Sequence, residues 1–231
     1  MSLPTLFPEI YTVKEPATLR VTQSYWSWFK NTGRGYTINE LTDRAGAAPL
    51  FTVETRLSGK YRVFKDRQGK ALCRLQRNFI SKSEAWVLTR AKGGDEHEEG
   101  AEEPEGGEEK KEEDEKLFTV SYDRLRWKMT IKLNRAALSS SVPEFESGSE
   151  GDVELHIKSV NLWGSGFTVL IGDQTVMKMR CTNMMHNAMS SFKVTPPRWE
   201  LELIEGMDSV LTAAIAVLIS DSFSEMHVYM V

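Results

Sequence analysis

Apolar and polar residues alternate along most of this chain. Leu125–Leu133 reads LRWKMTIKL, apolar at every odd position and polar between. A period of two puts successive side chains on opposite faces, so the segment predicts a strand with one wet face. Val153–Lys158 (VELHIK) and Trp199–Leu203 (WELEL) alternate in the same way. Phe167–Ile171 and Thr175–Met179 flank Gly172-Asp173 and predict a hairpin with a tight turn. Two earlier segments echo each other. Tyr36–Ile38 leads through Asp43-Arg44-Ala45-Gly46 to Leu50–Val53, and Tyr61–Phe64 through Asp66-Arg67-Gln68-Gly69 to Ala71–Leu75. Each is strand, Asp-x-x-Gly turn, strand, with the aspartate placed to accept from nearby amides and the glycine supplying positive φ. Further strands are expected at Thr18–Phe29, Glu84–Arg90 and Leu117–Tyr122. Ten to twelve strands are too many for a small sandwich and predict a mainly-β chain closed into an antiparallel barrel.

The pattern changes at the C-terminus. After Gly206-Met207-Asp208-Ser209 comes VLTAAIAVLI, then Ser220-Asp221. Alanine and leucine favour a helix, expected over 207–223, with Asp208 or Ser209 capping its first amides. A helix apolar on every face must be surrounded. The 12 residues between Asp208 and Asp221 span about 18 Å, against about 30 Å of bilayer hydrocarbon, so a buried core helix is expected and not a membrane span. Its six large side chains, Val210, Leu211, Ile215, Val217, Leu218 and Ile219, are together worth about 9–18 kcal/mol gross on burial.

Charge divides the chain of 231 residues more sharply than its net −4 implies. Residues 93–116, GGDEHEEGAEEPEGGEEKKEEDEK, hold 13 acids and three lysines, a charge of −10. The remaining 20 acids and 26 bases give +6. The acidic stretch carries no large apolar side chain and repels itself, so it is expected to be a disordered, solvated loop. A calcium-attracting tail and a mimic that shields a basic surface are its functional alternatives. Two cysteines, Cys73 and Cys181, build neither a disulfide framework nor a zinc site. Together with a start that lacks the features of a signal peptide, they lead to the expectation of a reduced, intracellular setting.

Many antiparallel strands followed by one all-apolar helix is an unusual order, and it resembles the LURP-one-related family of the tubby C-terminal-like superfamily, to which phospholipid scramblases are related. The likeness runs from about Tyr36 to Ser222 and is carried by particular segments. Tyr61-Arg62-Val63-Phe64-Lys65-Asp66-Arg67-Gln68-Gly69-Lys70-Ala71-Leu72 resembles the family's strand, turn, strand, and Ser81–Leu88 its basic-Ser…Trp strand. Leu117–Val120 resembles the strand that follows, and Gly206-Met207-Asp208 the Gly-x-Asp that opens the helix. The acidic stretch, the Ser/Gly-rich Ser139–Asp152 and Pro196-Pro197 depart from the pattern. The resemblance implies one barrel domain over 1–231, about twelve strands around a central helix over 207–223, with 93–116 as an inserted loop. It also implies a non-enzymatic protein, since tubby domains bind phosphoinositides through basic side chains on the barrel surface.

Candidate chemistry is confined to charge. Lys60–Lys82 carries eight bases and one acid, and on Leu125–Leu133 the alternation puts Arg126, Lys128, Thr130 and Lys132 on the polar face. Bases two apart on a strand stand about 6.6–6.8 Å from one another, within reach of one phosphorylated headgroup. Arg126, Lys128, Lys132, Arg62, Lys65, Arg67 and Lys70 are therefore the candidate lipid-binding residues, each able to add about 1 kcal/mol near an anionic leaflet. The bland reading of the same bases is solubility and edge protection. The sequence has no Gly-x-Ser-x-Gly elbow, no phosphate-binding glycine loop and no His-Glu-x-x-His, and its four histidines lie far apart. No catalytic residue, metal or cofactor is expected. The partners expected are anionic phospholipid headgroups, for a cytoplasmic protein peripheral at membranes. The alternative partner is a basic protein held by the acidic loop in a scaffold without a lipid role. A scramblase-like activity ranks below both, and nucleic acid is disfavoured because the bases accompany no recognised nucleic-acid motif.

Overall fold

A computed structural model describes residues 3–7, 9–24, 35–41, 48–56, 61–78, 85–91, 115–123, 128–138, 153–161, 165–183 and 197–228. Twelve strands follow one another: β1 (Ala17–Gln23), β2 (Tyr36–Glu40), β3 (Phe51–Arg56), β4 (Tyr61–Asp66), β5 (Ala71–Arg77), β6 (Trp86–Arg90), β7 (Lys116–Asp123), β8 (Lys128–Leu133), β9 (Val153–Ser159), β10 (Gly166–Ile171), β11 (Gln174–Cys181) and β12 (Arg198–Leu203). Each pairs antiparallel with the next, and β12 returns to pair with β1, which closes the barrel. Closure leaves no strand edge unpaired, the hazard of any open sheet this large.

The alternation in sequence becomes an inside and an outside. Leu19 and Val21 of β1, Ile131 and Leu133 of β8, and Leu155 and Ile157 of β9 face inward and are buried, while Arg20, Lys132 and Lys158, each next to one of them in sequence, are exposed. The interior is filled by one helix, α1 (Ser209–Val228), in which every residue from Val210 to Ile219 is fully buried. The helix runs five residues beyond the expected 207–223, because nothing from Ser220 to Val228 is a glycine or proline that would stop it. Asp208 is its cap: Oδ1 accepts from the amides of Val210 (2.9 Å) and Leu211 (3.0 Å), while the Ser209 hydroxyl donates to the Tyr11 carbonyl. No described helix is long and apolar enough to cross a membrane.

The far end of the apolar stretch is held by polar side chains pointing inward from the wall. Trp199 Nε1 donates to Ser220 Oγ (3.1 Å), Tyr36 Oη to Asp221 Oδ1 (2.6 Å), and Arg62 pairs with Asp221 Oδ2 at 3.0 Å. The buried apolar stretch of the helix is thus flanked by an aspartate on each side, Asp208 and Asp221, both bonded to residues outside the helix.

The β4–β5 turn has the chemistry its sequence predicts. Asp66 Oδ1 accepts from the amides of Gln68 (2.9 Å) and Lys70 (3.0 Å), and Gly69 has φ +82°. Its echo at 43–46 lies outside the described residues. Two strands are shorter than expected, β1 ending at Gln23 and β6 beginning at Trp86, and residues 125–127 of the expected β8 lie outside the described residues. The acidic stretch also ends earlier than expected. Lys116 already belongs to β7, opposite Thr89, and Glu115 pairs with Arg90 at 2.6 Å, which leaves 93–114 outside the described residues.

Cys73 is fully buried on β5. Burial pushes its thiol well above the ordinary value, the Asp208 carboxylate adds to this and Arg90 opposes it. In the native protein Cys73 is expected to resist alkylation at neutral pH and to react only on unfolding, read by mass spectrometry. Rapid native labelling at Cys73 would contradict this packing.

Candidate functional site

Strand register decides which bases share a surface. Lys128 and Lys132 are exposed on the outer face of β8, as expected, though Lys132 lies 3.3 Å from Glu154 of β9. Arg126 falls outside the described residues. Arg62 does not belong to the outer face. It is in phase with Phe64, which points inward, and its side chain is only 5% exposed against Asp221. A base aimed into the barrel with a buried acid as partner holds the helix and cannot reach a headgroup. Lys65 is paired with Glu54 at 2.9 Å. Arg67 and Lys70 are exposed in the β4–β5 turn, at the mouth where α1 enters. The expected single face is therefore two: this turn, and the outer wall around β8.

That wall gains two lysines that no single strand reveals. Lys158 of β9 and Lys178 of β11 both stand opposite Thr168 of the intervening β10. Strands lie about 4.8 Å apart, so the two lysine Cα atoms are about 10 Å apart on the same outer row. One register step beyond the Met129–Ile157 pair brings Lys128 alongside Lys158. Lys128, Lys158 and Lys178 are all exposed, and none forms an ion pair with a described residue. The row is bounded by acids: Asp123 stands opposite Lys128, and Glu202 opposite Lys178.

In the next row towards the far mouth the bases already share an acid. Glu200 accepts from Arg20 (3.0 Å) and Arg180 (2.8 Å), and its carboxyl is held below the ordinary range, first by the Arg20 bond. Beside Lys178 the wall hollows into an open cleft of about 450 Å³ where β1, β12 and β11 meet. Thr18, Thr175, Lys178 and Glu202 supply its polar lining, and Pro16 and Ile204 part of its apolar lining. Such a surface offers ammonium groups on a rigid frame to an oxyanion and hydroxyls beside them. Among the described residues no group of three His, Cys, Asp or Glu side chains converges as a metal site.

Each of these lysines follows the alternation in its own strand, VELHIK or TVMKM. What the sequence does not carry is their alignment across β9, β10 and β11, which depends on pairing and on the bulge between Val169 and Leu170.

Residues 17–221 match the family described as LURP-one-related. A crystal structure of a protein from Arabidopsis thaliana is similar in fold, with a TM-score of 0.54 at 13% identity over 95% of this chain and 99% of that one. No curated protein matches the chain.

Proposed function

The chain belongs to the LURP-one-related family, and from that premise we propose that it is a non-enzymatic barrel that docks on anionic membrane lipid, of the phosphoinositide class, through the outer lysine row of β8, β9 and β11. The observation that carries this reading is the geometry of Lys128, Lys158 and Lys178: three exposed ammonium groups on one rigid row, with no acid between them. Flexible lysine side chains rooted about 5 Å (Lys128 and Lys158) and about 10 Å (Lys158 and Lys178) apart can converge on one phosphorylated headgroup or bridge two. The protein works as a peripheral, cytoplasmic one. The three lysines together supply about 3 kcal/mol of attraction to an anionic leaflet, too weak alone for permanent attachment and suited to reversible docking. The acidic residues 93–114 then compete with the membrane for the same bases and lower the affinity without touching the fold.

Vesicle flotation tests this. The full chain is expected to float with vesicles of phosphatidylcholine containing a phosphoinositide, and not with phosphatidylcholine alone. Deleting 93–114 is expected to strengthen flotation. Absence of binding in both forms would overturn the lipid reading and leave a scaffold whose acidic segment holds a basic partner.

A further inference from the structure

At the mouth where α1 enters, the barrel is closed by the chain's own first residues. Leu3, Leu6 and Phe7 are buried there, although they precede β1 and no strand contains them. Their backbone is read closely. The amides of Leu6 and Phe7 both donate to Asp208 Oδ2 at 2.9 Å, and the Leu6 carbonyl accepts from Arg90 Nη2 at 3.1 Å. Two consecutive amides converging on one oxygen require a bend, and any proline at either position would remove a donor. Arg90 also lies over the Phe7 ring, 5.3 Å from its centroid, and Tyr11 packs edge-on against that ring. Further along, Val13 exchanges backbone bonds with Gly206 and Met207, after which Lys14, Glu15 and Pro16 are exposed and lead into β1.

These are the contacts of a bound peptide: a buried carboxylate facing two amides, a guanidinium on a carbonyl, apolar side chains enclosed, and an exposed tether. Apart from the Phe7–Tyr11 ring contact, which lies within the segment, the receptor half of these contacts comes from elsewhere in the chain, from Arg90 at the end of β6 and from Gly206 to Asp208 ahead of α1. We propose that this mouth is a peptide-binding site, filled in cis by Leu3–Val13, that accepts in trans a bent apolar peptide of the same Leu-x-x-Leu-Phe pattern with free amides at its last two positions. The tether keeps the cis segment at an effective concentration in the millimolar range, so a free peptide competes only when the tether is opened. Arg90 joins the site to the acidic stretch, because its Nε bonds Glu115 while its Nη2 holds Leu6.

The experiment opens the tether after folding. In the full-length protein, residues 14–16 are replaced by a protease recognition sequence, the folded chain is cut, and a fluorescent synthetic peptide of residues 1–13 is added. Fluorescence anisotropy is expected to show saturable binding to the cut protein, at least about tenfold stronger than to the uncut one. The same peptide N-methylated at Leu6 and Phe7, which removes only the two donors to Asp208, is expected to lose that binding, as is the L6E/F7E peptide. Three results would overturn the proposal: no exchange in a cut protein that keeps its cooperative melt, loss of the fold on cutting, or equal binding of the N-methylated peptide. Because the readout is a peptide in solution without lipid, it stands or falls separately from membrane docking.

Discussion

A chain ending at Glu205 is expected not to fold. Removing the residues beyond it takes away α1, whose side chains from Val210 to Ile219 are fully buried, and leaves the inward residues of the barrel, among them Phe64, Leu75, Leu88 and Leu201, facing an emptied interior. The six large helix side chains alone account for about 9–18 kcal/mol of gross burial. A whole domain of this kind is stable by about 5–15 kcal/mol net. Twelve strands cannot close on each other across a void of that size without collapsing or binding something else in it. Circular dichroism and a thermal melt decide the matter: a soluble product with a cooperative transition would contradict the central role of the helix.

The second large effect is expected at Asp221, where the buried apolar stretch of that helix ends. Arg62 and Asp221 are both almost completely buried and lie 3.0 Å apart, with Tyr36 donating to the same carboxylate. Arg62→Met leaves an uncompensated carboxylate in the core and is expected to cost about 3–5 kcal/mol. Arg62→Met combined with Asp221→Leu replaces the ion pair by apolar groups of similar size, and is expected to recover most of that loss. Urea denaturation midpoints of the two single variants and the double measure the coupling. A double variant as unstable as the sum of the singles would mean that the two residues act independently, and that the ion pair does not hold the helix in place.

Both predictions rest on residues that the sequence reveals to different degrees. The helix announces itself, because ten consecutive apolar or small residues flanked by acids have few other uses. The strands are equally visible wherever one face is wet, as in β8, β9 and β12, and so is the Asp66–Gly69 turn, whose hydrogen bonds are local. Arg62 is different. Its phase with Phe64 is written in the sequence, but the reason a base points inward is an aspartate 159 residues away. Counted among its neighbours Lys65, Arg67 and Lys70, it passes for part of a surface cluster. The N-terminal segment is less legible still, since Leu3, Leu6 and Phe7 follow no period and Asp208, the partner of Leu6 and Phe7, is about 200 residues distant. The lysine row depends on register across β8, β9, β10 and β11, which strand-by-strand alternation does not specify.

The functional claim rests on that row of three, and reversing two of its lysines tests it most directly. Lys158→Glu with Lys178→Glu changes only exposed outer-wall side chains, so the melting temperature is expected to stay close to that of the parent protein. Affinity for phosphoinositide-containing vesicles, measured by flotation at about 0.15 M salt, is expected to fall at least about thirtyfold, the effect of losing two contacts of about 1 kcal/mol each before any repulsion is counted. A folded double variant that floats as well as the parent protein would show that the β9–β11 wall is not where this barrel meets a membrane.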